Sequence, residues 1–192
     1  MHCFKSRPKK QVAINLMGTQ EVILVTKTDE PIGTIEKMQA HKDGLLHRAF
    51  SIFIFDNKGR ILLQQRSEEK YHGANLWSNT CCSHPYPNEK IEEAALRRLR
   101  EEMGFSTDLQ KQFEFVYRTE VENQLIEHEY DHVFTGIYEG NINVNKKEVA
   151  DYCYEEMNKV KWAVKEQPQK FTVWFKIAFP SIETWWQQQY ER

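Results

Sequence analysis

Two adjacent cysteines, Cys81 and Cys82, stand just ahead of His84, so one short segment, Asn79-Thr80-Cys81-Cys82-Ser83-His84-Pro85, delivers thiols and an imidazole together. A thiol can act as nucleophile or acid, and an imidazole is a frequent metal ligand. Free cysteine is also among the most buried residue types, so inert packing is the plainer reading for either thiol alone. A second concentration lies in Glu127-His128-Glu129-Tyr130-Asp131-His132. On a strand, alternate side chains share a face, which puts Glu127, Glu129 and Asp131 together and turns His128, Tyr130 and His132 the other way. Acids sharing a face repel unless the face is wet, as on an edge strand, or holds a cation.

A third candidate is Glu102. Ile91, Ala94, Ala95 and Leu99 recur at helical spacing, and the stripe continues to Glu102. Asn88 is suited to cap this helix, Glu89 to its first turn and Gly104 to its left-handed end. A carboxylate at the end of a buried face, where the helix dipole favours cations, points to a bound cation; a solvated acidic turn is the alternative.

Glu89, Arg97, Leu99, Glu101, Glu102 and Gly104 fall at the spacing of a Nudix box, in which acidic residues hold divalent metal against a diphosphate. Ser83 stands where the box begins with Gly, and Arg98 where it needs Glu. With the Cys-Cys-Ser-His-Pro segment upstream, the chain resembles the metal-dependent, flavin-free isopentenyl-diphosphate isomerases. The resemblance runs from about Glu21 to Phe179 and implies a Nudix-like α+β fold, a mixed sheet flanked by helices. It implies that isopentenyl and dimethylallyl diphosphate are interconverted by adding a proton at C4 and removing one from C2, through a tertiary cation at C3.

The same resemblance implies roles by position. His41, His47, His84, Glu127 and Glu129 match the ligands of a transition-metal site, which nitrogen donors suit to Mn²⁺ or Zn²⁺ rather than Mg²⁺. Glu102 and the Cys82 backbone carbonyl match the ligands of a Mg²⁺ shared with the diphosphate. Cys82, Glu129, Tyr117 and Trp174 match the catalytic residues, although Val173 replaces the Pro that usually precedes the tryptophan. Lys37, Arg66 and Lys70 match the diphosphate clamp and Arg98 is expected to complete it, since a guanidinium there suits holding a diphosphate intact where a carboxylate would suit hydrolysis. Two other readings use many of the same residues: a Nudix hydrolase of a diphosphate substrate, and a non-catalytic binding module that keeps the anion pocket.

The elements that must position these groups can be read in order. Met1 to Gln20 is polar, with basic residues at Arg7 to Lys10, and is expected to be a weakly ordered lead-in. Residues 21–192 are expected to form one domain. Glu21 to Thr26 reads as a strand, and His47 to Phe55 and Arg60 to Arg66 as a hairpin across Asp56-Asn57-Lys58-Gly59. Phe113 to Val121, Leu125 to Tyr138 and Val149 to Tyr154 read as further strands. Glu155 to Glu166 reads as a helix, and Thr172 is placed to cap a final aromatic helix that Pro180 interrupts before Ser181 restarts it.

At 192 residues, with 40% hydrophobic and 12% aromatic residues, the chain can bury a sizeable core. A formal net charge of -2 gives no electrostatic case for nucleic acid or an anionic membrane. No apolar run approaches a membrane span, and the first ten residues lack the apolar centre of a signal peptide. Four cysteines without a regular framework fit reduced thiols, hence a cytoplasmic protein. The expected partner is a small isoprenoid diphosphate, and the sequence leaves the oligomer state open.

Overall fold

The structure, a computed structural model, describes residues 20–190. The expected lead-in lies outside the described residues except for Gln20, whose carbonyl accepts the Lys37 N–H at 2.7 Å. No described helix is long and apolar enough to cross a membrane.

Strand β3 (His47–Phe55) is the hub of a nine-stranded mixed sheet. Its β-branched and aromatic run is buried on both faces, as a central strand requires. Along one edge it pairs in parallel with β8 (Leu125–Ile137), from His47 opposite Glu129 to Phe55 opposite Ile137. The other edge receives β1 (Glu21–Val25), β6 (Cys81–Ser83) and β4 (Ile61–Arg66), all antiparallel. Strand β2 (Pro31–Glu36) extends the sheet beyond β1, β5 (Trp77–Ser78) and β9 (Val149–Glu155) pair with β4, and β7 (Gln110–Val121) pairs with β8. The expected β3–β4 hairpin is present. Asp56 fixes its turn, with Oδ1 accepting the N–H groups of Lys58 and Arg60 at 3.0 and 2.8 Å.

Period-two alternation divides the core between the two faces. Ile52, Ile54 and Leu62 meet Ala94, Ala95 and Leu99 of α2 (Ile91–Met103). Phe53, Phe55, Ile61 and Leu63 meet Val160 of α3 (Met157–Glu166) and Phe175, Ala178, Phe179 and Ile182 of α4 (Val173–Tyr190). A short helix, α1 (Lys37–Asp43), follows β2, and the Glu36 side chain caps it by accepting from the N–H groups of Met38 and Gln39.

Two expectations need correction. Helix α2 starts at Ile91, not after Asn88, because Asn88 is used in a left-handed turn at φ 66° and Lys90 takes the capping position. Glu89 instead fastens that turn, accepting from the Tyr86 N–H and from both Arg97 nitrogens at 2.7 and 2.8 Å. Helix α4 runs through Pro180 without a break. Proline removes one N–H, but Phe175 and Phe179 before it and Ile182 after it are all buried, so packing on both sides holds the axis together. Of the two readings of the β8 acids, the wet edge strand is excluded: β3 and β7 pair on either side of it, and Glu127, Glu129 and Asp131 are buried.

The end of α2 is fixed by one glycine. Gly104 has φ 76°, and a Cβ there would lie 2.2 Å from the Asn143 carbonyl oxygen. Gly104→Ala is therefore expected to cost about 2 kcal/mol or more of stability, measured as a lower urea midpoint with unchanged slope.

Candidate active site

Sheet register assembles the centre of the site. Tyr117 on β7, Glu129 on β8 and His47 on β3 are direct cross-strand partners, so three strands set a phenol, a carboxylate and an imidazole side by side. Tyr117 Oη donates to Glu129 Oε2 at 2.6 Å. His84, just beyond β6, brings Nε2 to 2.9 Å from Glu129 Oε1 and 3.2 Å from His47 Nε2. His41 comes from α1, one helical turn after Lys37, so both side chains project from one helix face.

The predicted transition-metal residues thus fall into two overlapping groups. Potential ligand atoms of His41, His47, His84 and Glu129 all lie within 4.8 Å of one another, and His41 is shared with a second group containing Glu127 and His72. Their hydrogen bonds suit a cation. His41 Nδ1 donates to the Lys37 carbonyl and His47 Nδ1 to the Leu45 carbonyl, both at 2.8 Å. In the neutral rings this leaves each Nε2 with a lone pair aimed inward. His41 Nε2 is buried without a hydrogen-bond partner. The imidazoles and carboxylates are therefore a group able to hold a divalent metal ion.

Electrostatics support that description. Burial lowers the His84 pKa to about 3, against the opposing pull of Glu129, so the ring is neutral. Burial raises Glu129, but the neighbouring imidazoles of His47 and His84 outweigh it and hold the carboxyl well below its usual range. Burial and the Glu129 charge raise Glu127, whereas the imidazoles of His41 and His72 beside it bring it lower overall. Tyr117 is pushed well above the usual phenol range by burial and by the Glu129 charge, so it keeps its proton.

The basic side chains face the same cavity, which Lys37, Arg66, Lys70, Arg98, Cys82 and Trp174 line together with the Glu129 group. Lys70 pairs with Glu148, and Arg98 pairs with Glu102 and reaches Glu148 at 3.4 Å. Glu102 ends the buried stripe of α2, as its spacing predicts, and is only 1% exposed. It does not itself line the cavity; Arg98, which does, lies between the two roles. Arg66 sits 5.0 Å from the Trp174 ring centroid, and Trp174 Nε1 donates to Ser78 Oγ at 3.0 Å. Lys37 has a lowered pKa through burial and the Lys70 charge. Cys82 is pushed up to about 12 by burial despite the nearby Arg66, whereas Cys81 is wholly enclosed in the α2-side core.

Two residues absent from the sequence reading also belong here. Glu148 is a lone acid before β9 and carries no local signal. His72 follows Lys70 closely in a loop already rich in charge, which is the only hint the chain offers.

A NUDIX-domain family model matches residues 45–175. The crystal structure of DR0079 from Deinococcus radiodurans has a TM-score of 0.64 at 16% identity, covering 77% of this chain and 90% of that one. The fold and its pocket therefore define a Nudix-domain protein. The isopentenyl-diphosphate Delta-isomerase of Pectobacterium atrosepticum is 45% identical over 171 residues, 89% of this chain and 96% of that protein. Isopentenyl-diphosphate Delta-isomerase 2 of Aromatoleum aromaticum is 49% identical over 162 residues, 84% of this chain and 86% of that protein. The chain belongs to the isopentenyl-diphosphate Delta-isomerase family.

Proposed function

We propose that this chain interconverts isopentenyl diphosphate and dimethylallyl diphosphate. The observation that carries the proposal is one cavity lined by two separate proton-bearing groups, Cys82 and the Glu129–Tyr117 pair, with four basic side chains beside them. Moving a double bond by one carbon needs one group to give a proton and another to take one, and an anchored anion to hold the chain between them. In the reverse direction the donor becomes the acceptor.

Lys37, Arg66, Lys70 and Arg98 bind the diphosphate, and binding draws Lys70 and Arg98 from Glu148 and Glu102. Cys82 exchanges a proton on one side of the allylic carbons. Glu129, with the Tyr117 hydroxyl at 2.6 Å, does so on the other. Trp174 turns its ring to the positive charge that develops at C3, an attraction worth about 2 kcal/mol in a desolvated site. Burial of Tyr117, Glu129 and Trp174 keeps water from capturing the cation.

His41, His47, His84, Glu127 and Glu129 would hold Mn²⁺ or Zn²⁺, and Glu102 with the Cys82 carbonyl would hold Mg²⁺ beside the diphosphate. Bound ions supply positive charge that acidifies groups on the carboxylate side and offsets the diphosphate charge. We assign the chain to the cytoplasm as one domain over residues 21–192, a compartment in which Cys81, Cys82 and Cys153 persist as free thiols. A small isoprenoid diphosphate is its partner, rather than nucleic acid or membrane.

The test is incubation with isopentenyl diphosphate and Mg²⁺ in D₂O, followed by NMR. Deuterium should enter the C4 methyl as dimethylallyl diphosphate forms. Release of phosphate or pyrophosphate would instead establish a hydrolase, and binding without conversion by metal-loaded protein would establish a binding module.

A further inference from the structure

His72 touches both halves of the cavity, and no role above uses it. Its imidazole is 6% exposed, with Nε2 2.8 Å from Glu127 Oε1, closer than His41 Nε2 at 3.4 Å. An ionised carboxylate oxygen can only accept, so a His72 nitrogen at that distance carries its hydrogen. The ring stands edge-on to Trp174, with centroids 5.4 Å apart and planes at 87°. The His72 carbonyl accepts from Arg66 at 3.0 Å. A metal ligand, an aromatic ring and an anion-binding cation thus meet on one residue.

The surrounding loop is fastened to the turn that leads into β8. Asn123 Nδ2 donates to the Tyr71 carbonyl at 2.7 Å, and the Gly73 N–H donates to Glu122 Oε2 at 3.1 Å. Gly73, at φ 59°, permits the turn that returns the chain toward Arg66. His72 therefore reaches Glu127 from a loop already held in register with the strand that carries it.

We propose that His72 is a positioning residue: its Nε2–H fixes the Glu127 carboxylate for metal binding. The inference rests on the metal role proposed for Glu127. His72 is outside the four-residue group of His41, His47, His84 and Glu129 and joins the site only through Glu127 and His41; its edge against Trp174 and its 2.8 Å approach to the carboxylate oxygen are those of a donor behind Glu127. Glu127 also sits near the charge of Glu129, which a donor on its own oxygen offsets.

The full-length protein would be stripped of metal and titrated with Zn²⁺ against a chromophoric chelator. His72→Phe keeps a ring against Trp174 but has no donor, and His72→Asn puts its amide too far back; each should weaken Zn²⁺ binding by about 10- to 100-fold. His72→Gln carries an amide nitrogen near the place of Nε2 and should stay within about threefold of the parent. Parent-like affinity in His72→Phe, or equal weakness in His72→Gln and His72→Phe, would overturn the proposal. If His72→Phe does not fold, the Asn and Gln pair decides. Because the titration contains no substrate, a parent that fails to isomerise while showing this pattern would sink the activity and leave the role of His72 standing.

Discussion

Cys82→Ser is expected to lower turnover of isopentenyl diphosphate by about a thousandfold or more while changing KM only a few-fold. Serine preserves the size of the side chain and leaves Lys37, Arg66, Lys70 and Arg98 in place, so anchoring of the diphosphate survives. What changes is acidity. Burial raises the Cys82 thiol to about 12, opposed by Arg66, so at neutral pH it carries its proton. A buried serine hydroxyl is weaker as an acid by several powers of ten, and its alkoxide is correspondingly inaccessible. An alkene is a very weak base, and a weaker partner acid raises the barrier to protonating it almost in proportion. Single-turnover kinetics paired with calorimetric binding of isopentenyl diphosphate separate the two effects. Turnover within tenfold of the parent would remove Cys82 from the proton path, and a matching loss of affinity would make it a binding residue instead.

Much of this site is legible in the chain because its residues lie on regular elements. The stripe Ile91, Ala94, Ala95, Leu99 leads to Glu102 by helical period alone, and Glu102 is indeed buried. Alternation on β8 separates Glu127, Glu129 and Asp131 from their neighbours, and the burial pattern follows it from Leu125 to Asp131. Alternation cannot say whether such a face is wet, since that depends on which strands pair on either side. The parallel partner β3 comes from a distant part of the chain, and it turns the apparent edge into the interior.

The helical position of His41 is hidden for a different reason. Seven residues are too few to show a period, and α1 owes its start to the Glu36 cap. His72 and Glu148 acquire meaning only through partners far away in sequence, Glu127 for one and Lys70 with Arg98 for the other. Pro180 misleads because a local rule about backbone hydrogen bonds is overridden by burial on both sides of it.

Glu129→Gln should abolish isomerisation, by about a thousandfold or more, and excess Mn²⁺ or Zn²⁺ should not restore it. The substitution is nearly isosteric, but three donors or lone pairs converge on this carboxylate. Tyr117 donates to Oε2, while His84 and His47 approach Oε1 at 2.9 and 3.6 Å. An amide has only one acceptor oxygen, so one of these contacts becomes donor against donor or is lost. Weaker metal binding is therefore expected too, and the comparison that isolates proton transfer is Glu127→Gln. Glu127 faces His41 and His72, whereas the Tyr117 hydroxyl donates to Glu129, so the Glu127 variant should lose metal affinity and regain activity when metal is added in excess. The measurement is turnover of both variants across a metal titration, with bound metal determined in parallel. A metal-loaded Glu129→Gln protein that still isomerises would show that the carboxylate only holds the ion, and the proton would then have to pass through Tyr117 without it. That route is hard to sustain, because burial and the neighbouring carboxylate push the Tyr117 hydroxyl well above the usual phenol range and no second base touches its oxygen among the described residues.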